Sequence, residues 1–220
     1  MPRSVKYALP FVILMMSVLY IFFIPEDPLA IKLLFKLIPM WLILLYGFLQ
    51  FQAKKRPVHW LLLAGLFFCM LGDGLLVWFV VGLTAFLIGH LFYLSAFISQ
   101  WRYSPIRMIS LLPIGCYAWF MGHRLVESLQ LSGDDALILP VLAYVTVISL
   151  MLWSALMTGN LIAGIGSLLF VISDSILSWN MFISPVSYSG VLIMTTYYSA
   201  QFLIAISIGS LGERRNSIGL

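Results

Sequence analysis

The sequence predicts an all-α integral membrane protein of eight spanning helices, and three observations carry that prediction. Hydrophobic residues fill 62% of the 220 positions and charged residues only 9%. Mean hydropathy is +1.06, more apolar surface than a water-soluble domain of this length can bury. The apolar runs each approach the roughly 20 residues that cross a bilayer, and short clusters of Pro, Gly, Asp, Lys and Arg separate them, the residues at which chains turn. Spans of that length leave no room for a soluble domain, so residues 1–220 read as a single transmembrane domain.

The first span, 7–24, follows Arg3 and Lys6 in the manner of a signal peptide. Its run is long and lacks a small-x-small cleavage pattern, so it reads as a retained helix. Pro25-Glu26-Asp27-Pro28 ends it, and 30–51 is the second span, closed by the break from Gln52 to Pro57. The stretch from 58 to 100 is long enough for two spans, 58–77 and 80–100, with their turn near Trp78 to Gly82. Trp101 to Pro105 leads into 105–123, and His123 to Asp135 reads as a loop. The remaining spans are 136–157, 161–180 after Thr158-Gly159-Asn160, and 187–210 after Ser184-Pro185. Trp60, Trp78, Trp101, Trp119, Trp153 and Trp179 lie toward span ends, as an interfacial aromatic belt requires; Trp41 alone is mid-helix.

This arrangement places Arg3, Lys6, Lys54, Lys55, Arg56, Arg102, Arg107, Arg214 and Arg215 on one side of the membrane. Lys32 and Arg124 fall on the other, with Glu26, Asp27, Glu127, Asp134 and Asp135. Basic loops stay in the cytoplasm, so both termini are expected there. The net charge of +4 and pI near 9.1 are explained by that distribution, and nucleic-acid binding is set aside. Cys69 and Cys116 stand alone in apolar segments, without CxxC spacing, and read as packing residues. A faint repeat at an offset of 101 residues pairs Gly65, Asp73, Leu76 and Trp78 with Gly166, Asp174, Leu177 and Trp179, and Pro39 with Pro140. It implies a parallel four-plus-four internal repeat, a known way to build a midplane site.

An ionisable side chain within the hydrocarbon costs a few kcal/mol or more and asks for a partner or a task. Lys36, Asp73, His90 and Asp174 are such residues. At 1.5 Å per residue, Lys36, Asp73 and Asp174 lie at similar depths from the acid-rich side and share one polar layer. His90 lies deeper, with Tyr93 or Gln201 as candidate partners, and Tyr144, Tyr197 and Tyr198 reach comparable depths. The expected site is a pocket opening to the acid-rich side and floored near the midplane. Each residue also has a plainer explanation. Gly72-Asp73-Gly74 has turn composition, Lys36 can snorkel, His90 can be a hydrogen-bonded core residue, and tyrosines and Gln201 serve as interfacial anchors or interhelical glue. Zinc needs three or four converging ligands, and this core has one histidine, His59 and His123 being assigned to loops, so no metal is predicted. Two buried carboxyl groups beside a lysine suit acid and base work, one holding a proton while the lysine-paired one is a carboxylate.

Five segments in chain order then resemble the YhhN-like family of membrane lysoplasmalogenases. They are Lys36-Leu37-Ile38-Pro39; Leu71-Gly72-Asp73-Gly74-Leu75-Leu76; Gly82-Leu83-Thr84-Ala85-Phe86-Leu87-Ile88-Gly89-His90; Phe170-Val171-Ile172-Ser173-Asp174-Ser175; and Tyr197-Tyr198-Ser199-Ala200-Gln201. The resemblance implies an eight-helix fold and a hydrolase that opens the vinyl ether of a lysophospholipid substrate without a cofactor. It also implies catalysis by Asp73 and Asp174; from their depth and polarity, Lys36, His90, Tyr93, Tyr144, Ser173, Tyr197, Tyr198 and Gln201 are expected to bind or position substrate and water. The implied location is the bacterial inner (cytoplasmic) membrane. The buried Asp, Lys and His equally suit a proton-coupled transporter or lipid carrier, and a carboxyl pair also suits hydrolysis of another lipid linkage. The apolar exterior leaves the oligomeric state open.

Overall fold

A computed structural model describes residues 3–51 and 56–211, with side chains from Ala8 onward. Lys54, Lys55, Arg214 and Arg215, and the side chains of Arg3 and Lys6, which enter the expected charge asymmetry, lie outside the described residues. All regular structure among the described residues is helical: α1 Arg3–Phe23, α2 Leu29–Leu49, α3 Pro57–Leu75, α4 Phe79–Ser99, the short α5 Pro105–Met108, α6 Leu111–Ser132, α7 Ile138–Met157, α8 Leu161–Ser178 and α9 Ser189–Ser207. A 3-10 turn, Asp135–Leu137, leads into α7, and a π-helical turn, Trp179–Ile183, extends α8. Six of these stretches are long and apolar enough to cross a membrane: α2, α3, α4, α7 with its 3-10 turn, α8 with its π turn, and α9. In α1 the apolar stretch Ala8–Phe23 is shorter.

α3 packs along α4, and α8 along α9, as two close hairpins. Between them, α4 lies against α7 and α2 against α9, while α1 covers α2 and α9 and α6 covers α7 and the π turn. One core of Met40, Ile43, Leu62, Cys69, Phe97 and Phe170 joins the hairpins. A second, of Met121, Leu125, Leu129, Val141 and Val145, fastens α6 to α7. Outward-facing Phe11, Leu34, Trp41, Val80, Trp119 and Leu161 are exposed, as expected of side chains whose solvent is lipid.

Three local expectations change. The loop expected from His123 to Asp135 is helix to Ser132, and His123 packs beside Trp119 in α6. Its polar residues are helix-compatible, and Met121, Leu125 and Leu129 form a buried stripe at helical spacing through the supposed loop. The helix stops only at Gly133, whose φ of 76° closes a Schellman motif through Asp134 N–H to Leu129 O (3.0 Å) and Gly133 N–H to Gln130 O (3.3 Å). His59, also expected in a loop, is fully buried in the first turn of α3. Its Nδ1 accepts from the Arg56 N–H (3.4 Å), so Nε2 donates to Leu211 O (3.1 Å) and ties α3 to the end of the described chain. The turn after α3 falls at residues 76–78, ahead of the expected Trp78 to Gly82. A Cβ on Gly82 would stand 2.6 Å from the Leu76 Cα, so only glycine lets α4 close this tightly on α3.

Candidate active site

Asp73 lies in the last turn of α3, and Gly72-Asp73-Gly74 is helical rather than a turn. α2 brings Lys36 across to it: Nζ stands 3.3 Å from Asp73 Oδ1 and donates to the Asp73 carbonyl at 3.2 Å. The lysine side chain is 13% exposed and the aspartate 4%, so this is an interior ion pair and the lysine does not snorkel away. Tyr198 of α9 fixes the lysine's backbone by donating to Lys36 O at 2.8 Å, and Tyr20 of α1 meets the Tyr198 ring edge-on. The neighbouring Tyr197 hydroxyl donates to Cys69 O at 3.4 Å, one turn before Asp73. By hydrogen-bond geometry, Asp73 Oδ2 has no partner among the described residues.

Asp174 projects from α8 into the same cavity, about 360 Å³, which Lys32, Lys36, Asp73, Phe86 and Tyr197 also line. Its Oδ2 accepts a hydrogen bond from Tyr144 of α7, and no cation pairs with it among the described residues. At the mouth, Lys32 forms an ion pair with Glu26. The two carboxyl groups therefore face one space from opposite hairpins, one paired with a lysine and the other held by a phenol.

The other sequence-predicted residues stand behind this wall. His90 is fully buried, and its Nδ1 donates to Phe86 O (2.6 Å), while Nε2 has no partner among the described residues. The expected partners are taken, because Tyr93 donates to Gln201 Oε1 at 2.7 Å. The His90 ring packs edge-on to Phe170, Tyr93 and the Tyr144 that holds Asp174. Ser173 reaches the cavity lining, but its hydroxyl donates to Ile193 O at 3.0 Å. Two polar lining residues escaped the sequence analysis. Lys32 had a signal, lying one helical turn before Lys36 on the same face. Tyr20 had none, since a tyrosine in an apolar run looks like any interfacial aromatic.

A helical membrane bundle with a lysine-paired carboxylate facing a second carboxyl group defines a class: intramembrane proteins equipped for acid and base chemistry. Within that class the chain belongs to the YhhN family, which matches residues 31–208. It is 35% identical over 214 residues to human lysoplasmalogenase TMEM86B, covering 94% of this chain and 88% of that protein. It is 34% identical over 209 residues to human lysoplasmalogenase TMEM86A, covering 86% and 83%. A lysoplasmalogenase of Mycobacterium bovis is 30% identical over 165 residues, covering 68% of this chain and 60% of that protein. No solved structure matches.

Proposed function

We propose that this protein is a membrane-embedded hydrolase that cleaves the vinyl ether of lysoplasmalogens to a fatty aldehyde and a glycerophospho-alcohol. The carrying observation is the cavity shared by Asp73 and Asp174 with only one of them paired to a cation, and the names of the relatives supply the substrate class.

Asp174 is the acid. Tyr144 occupies Oδ2, leaving Oδ1 to carry the proton, which passes to the vinyl carbon remote from the ether oxygen. The resulting oxocarbenium ion forms near the Asp73 carboxylate, held ionised by Lys36, which stabilises the cation and takes a proton from the attacking water. The product is a hemiacetal. Its hydroxyl proton returns to Asp174 as the carbon–oxygen bond to glycerol breaks, and the departing oxygen takes the proton held on Asp73. Both carboxyl groups regain their starting states, and one water is consumed. Lys32 at the mouth meets the phosphate, while His90, Tyr93 and Gln201 brace Tyr144 and Tyr197 from behind.

The same reading takes residues 1–220 as one membrane domain of eight spans, α1 and α6 completing the six clear ones, with both termini in the cytoplasm of a bacterial inner membrane. Two four-helix halves are supported by the packing: the α1–α2, α2–α3 and α3–α4 contacts recur as α6–α7, α7–α8 and α8–α9, and α2–α9 recurs as α4–α7. Asp73 and Asp174 occupy matching positions in the halves.

Aldehyde release from lysoplasmenyl-ethanolamine by detergent-purified protein is the test. Asp73→Asn and Asp174→Asn, each purifying as folded protein, are each expected to lose activity by about a hundredfold or more. A folded parent that releases no aldehyde overturns the proposal.

A further inference from the structure

Asp174 borders a second space as well. A narrow chamber of about 50 Å³ runs between α4, α6, α7 and α8 and shares Leu76, Phe86, Asp174, Leu177 and Met181 with the carboxylate cavity. Apart from Asp174 and Tyr144 at one edge, its polar groups are the Ser178 hydroxyl, committed to Asp174 O at 2.8 Å, and the Tyr117 hydroxyl. The rest is aliphatic or aromatic, including Leu125, Val145 and Ile148. Tyr117 is also a wall of a third space, a crevice of about 380 Å³ between α6, α7 and α8, lined by Ile114, Leu152, Leu156, Leu168 and Ser175. Among the described residues Tyr117 alone lines both chamber and crevice, and its hydroxyl is 2.7 Å from the Ser175 Oγ.

The carboxylate cavity and the crevice lie at different depths, and the chamber spans the distance between them. Lys32 lies one turn into α2 from the end that carries Glu26, Asp174 lies one turn from the corresponding end of α8, and Leu152 and Leu156 lie in the far half of α7. From that end toward the opposite one come the charged mouth and the carboxyl pair, with the narrow apolar chamber running beside them from Phe79, Val141 and Phe182 down to Tyr117, and then the wider apolar crevice. This is the sequence of chemistries along a single-chain phospholipid lying parallel to its neighbours in the bilayer: phosphate, ether linkage, hydrocarbon.

We infer that the chamber and the crevice are the hydrocarbon-chain site, and that the Tyr117–Ser175 contact is the barrier between them that sets chain-length selectivity. The inference rests on the hydrolase reading for the identity of the chain. A short chain ends in the chamber, on the Asp174 side of Tyr117. A long chain must displace the Tyr117 ring to reach the crevice.

The test uses two ligands that cannot be cleaved, octyl and octadecyl lyso-ether phosphoethanolamine, whose dissociation constants are measured on the full chain in detergent. Tyr117→Ala, which removes the barrier, is expected to shift the ratio of dissociation constants in favour of octadecyl over octyl. Leu168→Trp fills the crevice from a position already 47% exposed, so folding is unaffected. It is expected to lower octadecyl binding and leave octyl binding unchanged. An unchanged chain preference in both variants overturns the chain site, and if the parent still releases aldehyde the hydrolase reading stands without it. The expected shifts in a parent that releases no aldehyde support the chain site and overturn the reaction instead.

Discussion

At the scale of single residues, the Lys36–Asp73 pair carries most of what is distinctive. Two charges taken out of water are tolerated because each answers the other, and removing one partner strands the second at a cost of about 3–5 kcal/mol. Lys36→Met is therefore expected to lower the protein's stability in detergent, measured by denaturant or thermal unfolding. Adding Asp73→Asn to it should restore much of the loss, because the stranded charge disappears. Activity should return in neither, which separates the pair's part in folding from its part in chemistry. Lys36, Asp73 and Asp174 were legible in the sequence because a charge inside an apolar run is costly wherever it occurs, and counting residues from the helix ends put the three in one layer. The partners of His90 were not legible. Depth alone allowed Tyr93 or Gln201, but these hydrogen-bond each other and the imidazole turns to its own helix at Phe86 O. Spacing along a helix does not say which of two buried polar groups satisfies a third.

At the scale of elements, polarity and helicity proved to be separate properties. The chain from His123 to Ser132 is polar enough to resemble a loop, yet Leu125 and Leu129 keep the buried stripe of α6 running through it, and Gly133 supplies the stop. The α3–α4 turn shows the opposite case, in which no polar marker exists and a contact decides where the chain reverses. Gly82→Ala places a methyl group against the Leu76 backbone and is expected to cost about 1–3 kcal/mol by forcing the hairpin apart. Gly115→Ala, with nothing near its added carbon, is expected to leave stability unchanged or raise it by up to about 1 kcal/mol. Thermal unfolding of the two variants beside the parent checks the contrast. Equal effects would mean that helix propensity, not the close approach of α4 to α3, governs these positions.

At the scale of the whole molecule, composition announced the membrane. Which helices touch across the halves was beyond the sequence, because the apolar faces of α2, α4, α7 and α9 are interchangeable by composition alone. The proposed eight-span arrangement makes a direct prediction about sidedness. In a Cys116→Ser background, with Cys69 buried, Glu26→Cys and Asp134→Cys are expected to react with a membrane-impermeant maleimide applied to intact spheroplasts. Tyr103→Cys, at a residue 75% exposed at the opposite end of the bundle, should react only after the membrane is opened. Labelling of Tyr103→Cys from outside, or of Glu26→Cys only from within, would require a different number of crossings or the reverse orientation.

The crevice between α6, α7 and α8 also bears on how a reaction cycle closes. It reaches the molecular surface at Leu168 and Ile172, among side chains facing hydrocarbon, whereas the carboxylate cavity reaches it at Lys32 and Leu29. A catalyst with one exit to lipid and another to water separates its products as it makes them. In the proposed reaction the aldehyde would drain past Tyr117 and sideways into the bilayer, and the phosphorylated alcohol would dissolve away from the charged mouth. Neither product then obstructs the other's departure, and their re-encounter, which the reverse reaction would need, is discouraged by phase rather than by any further binding step.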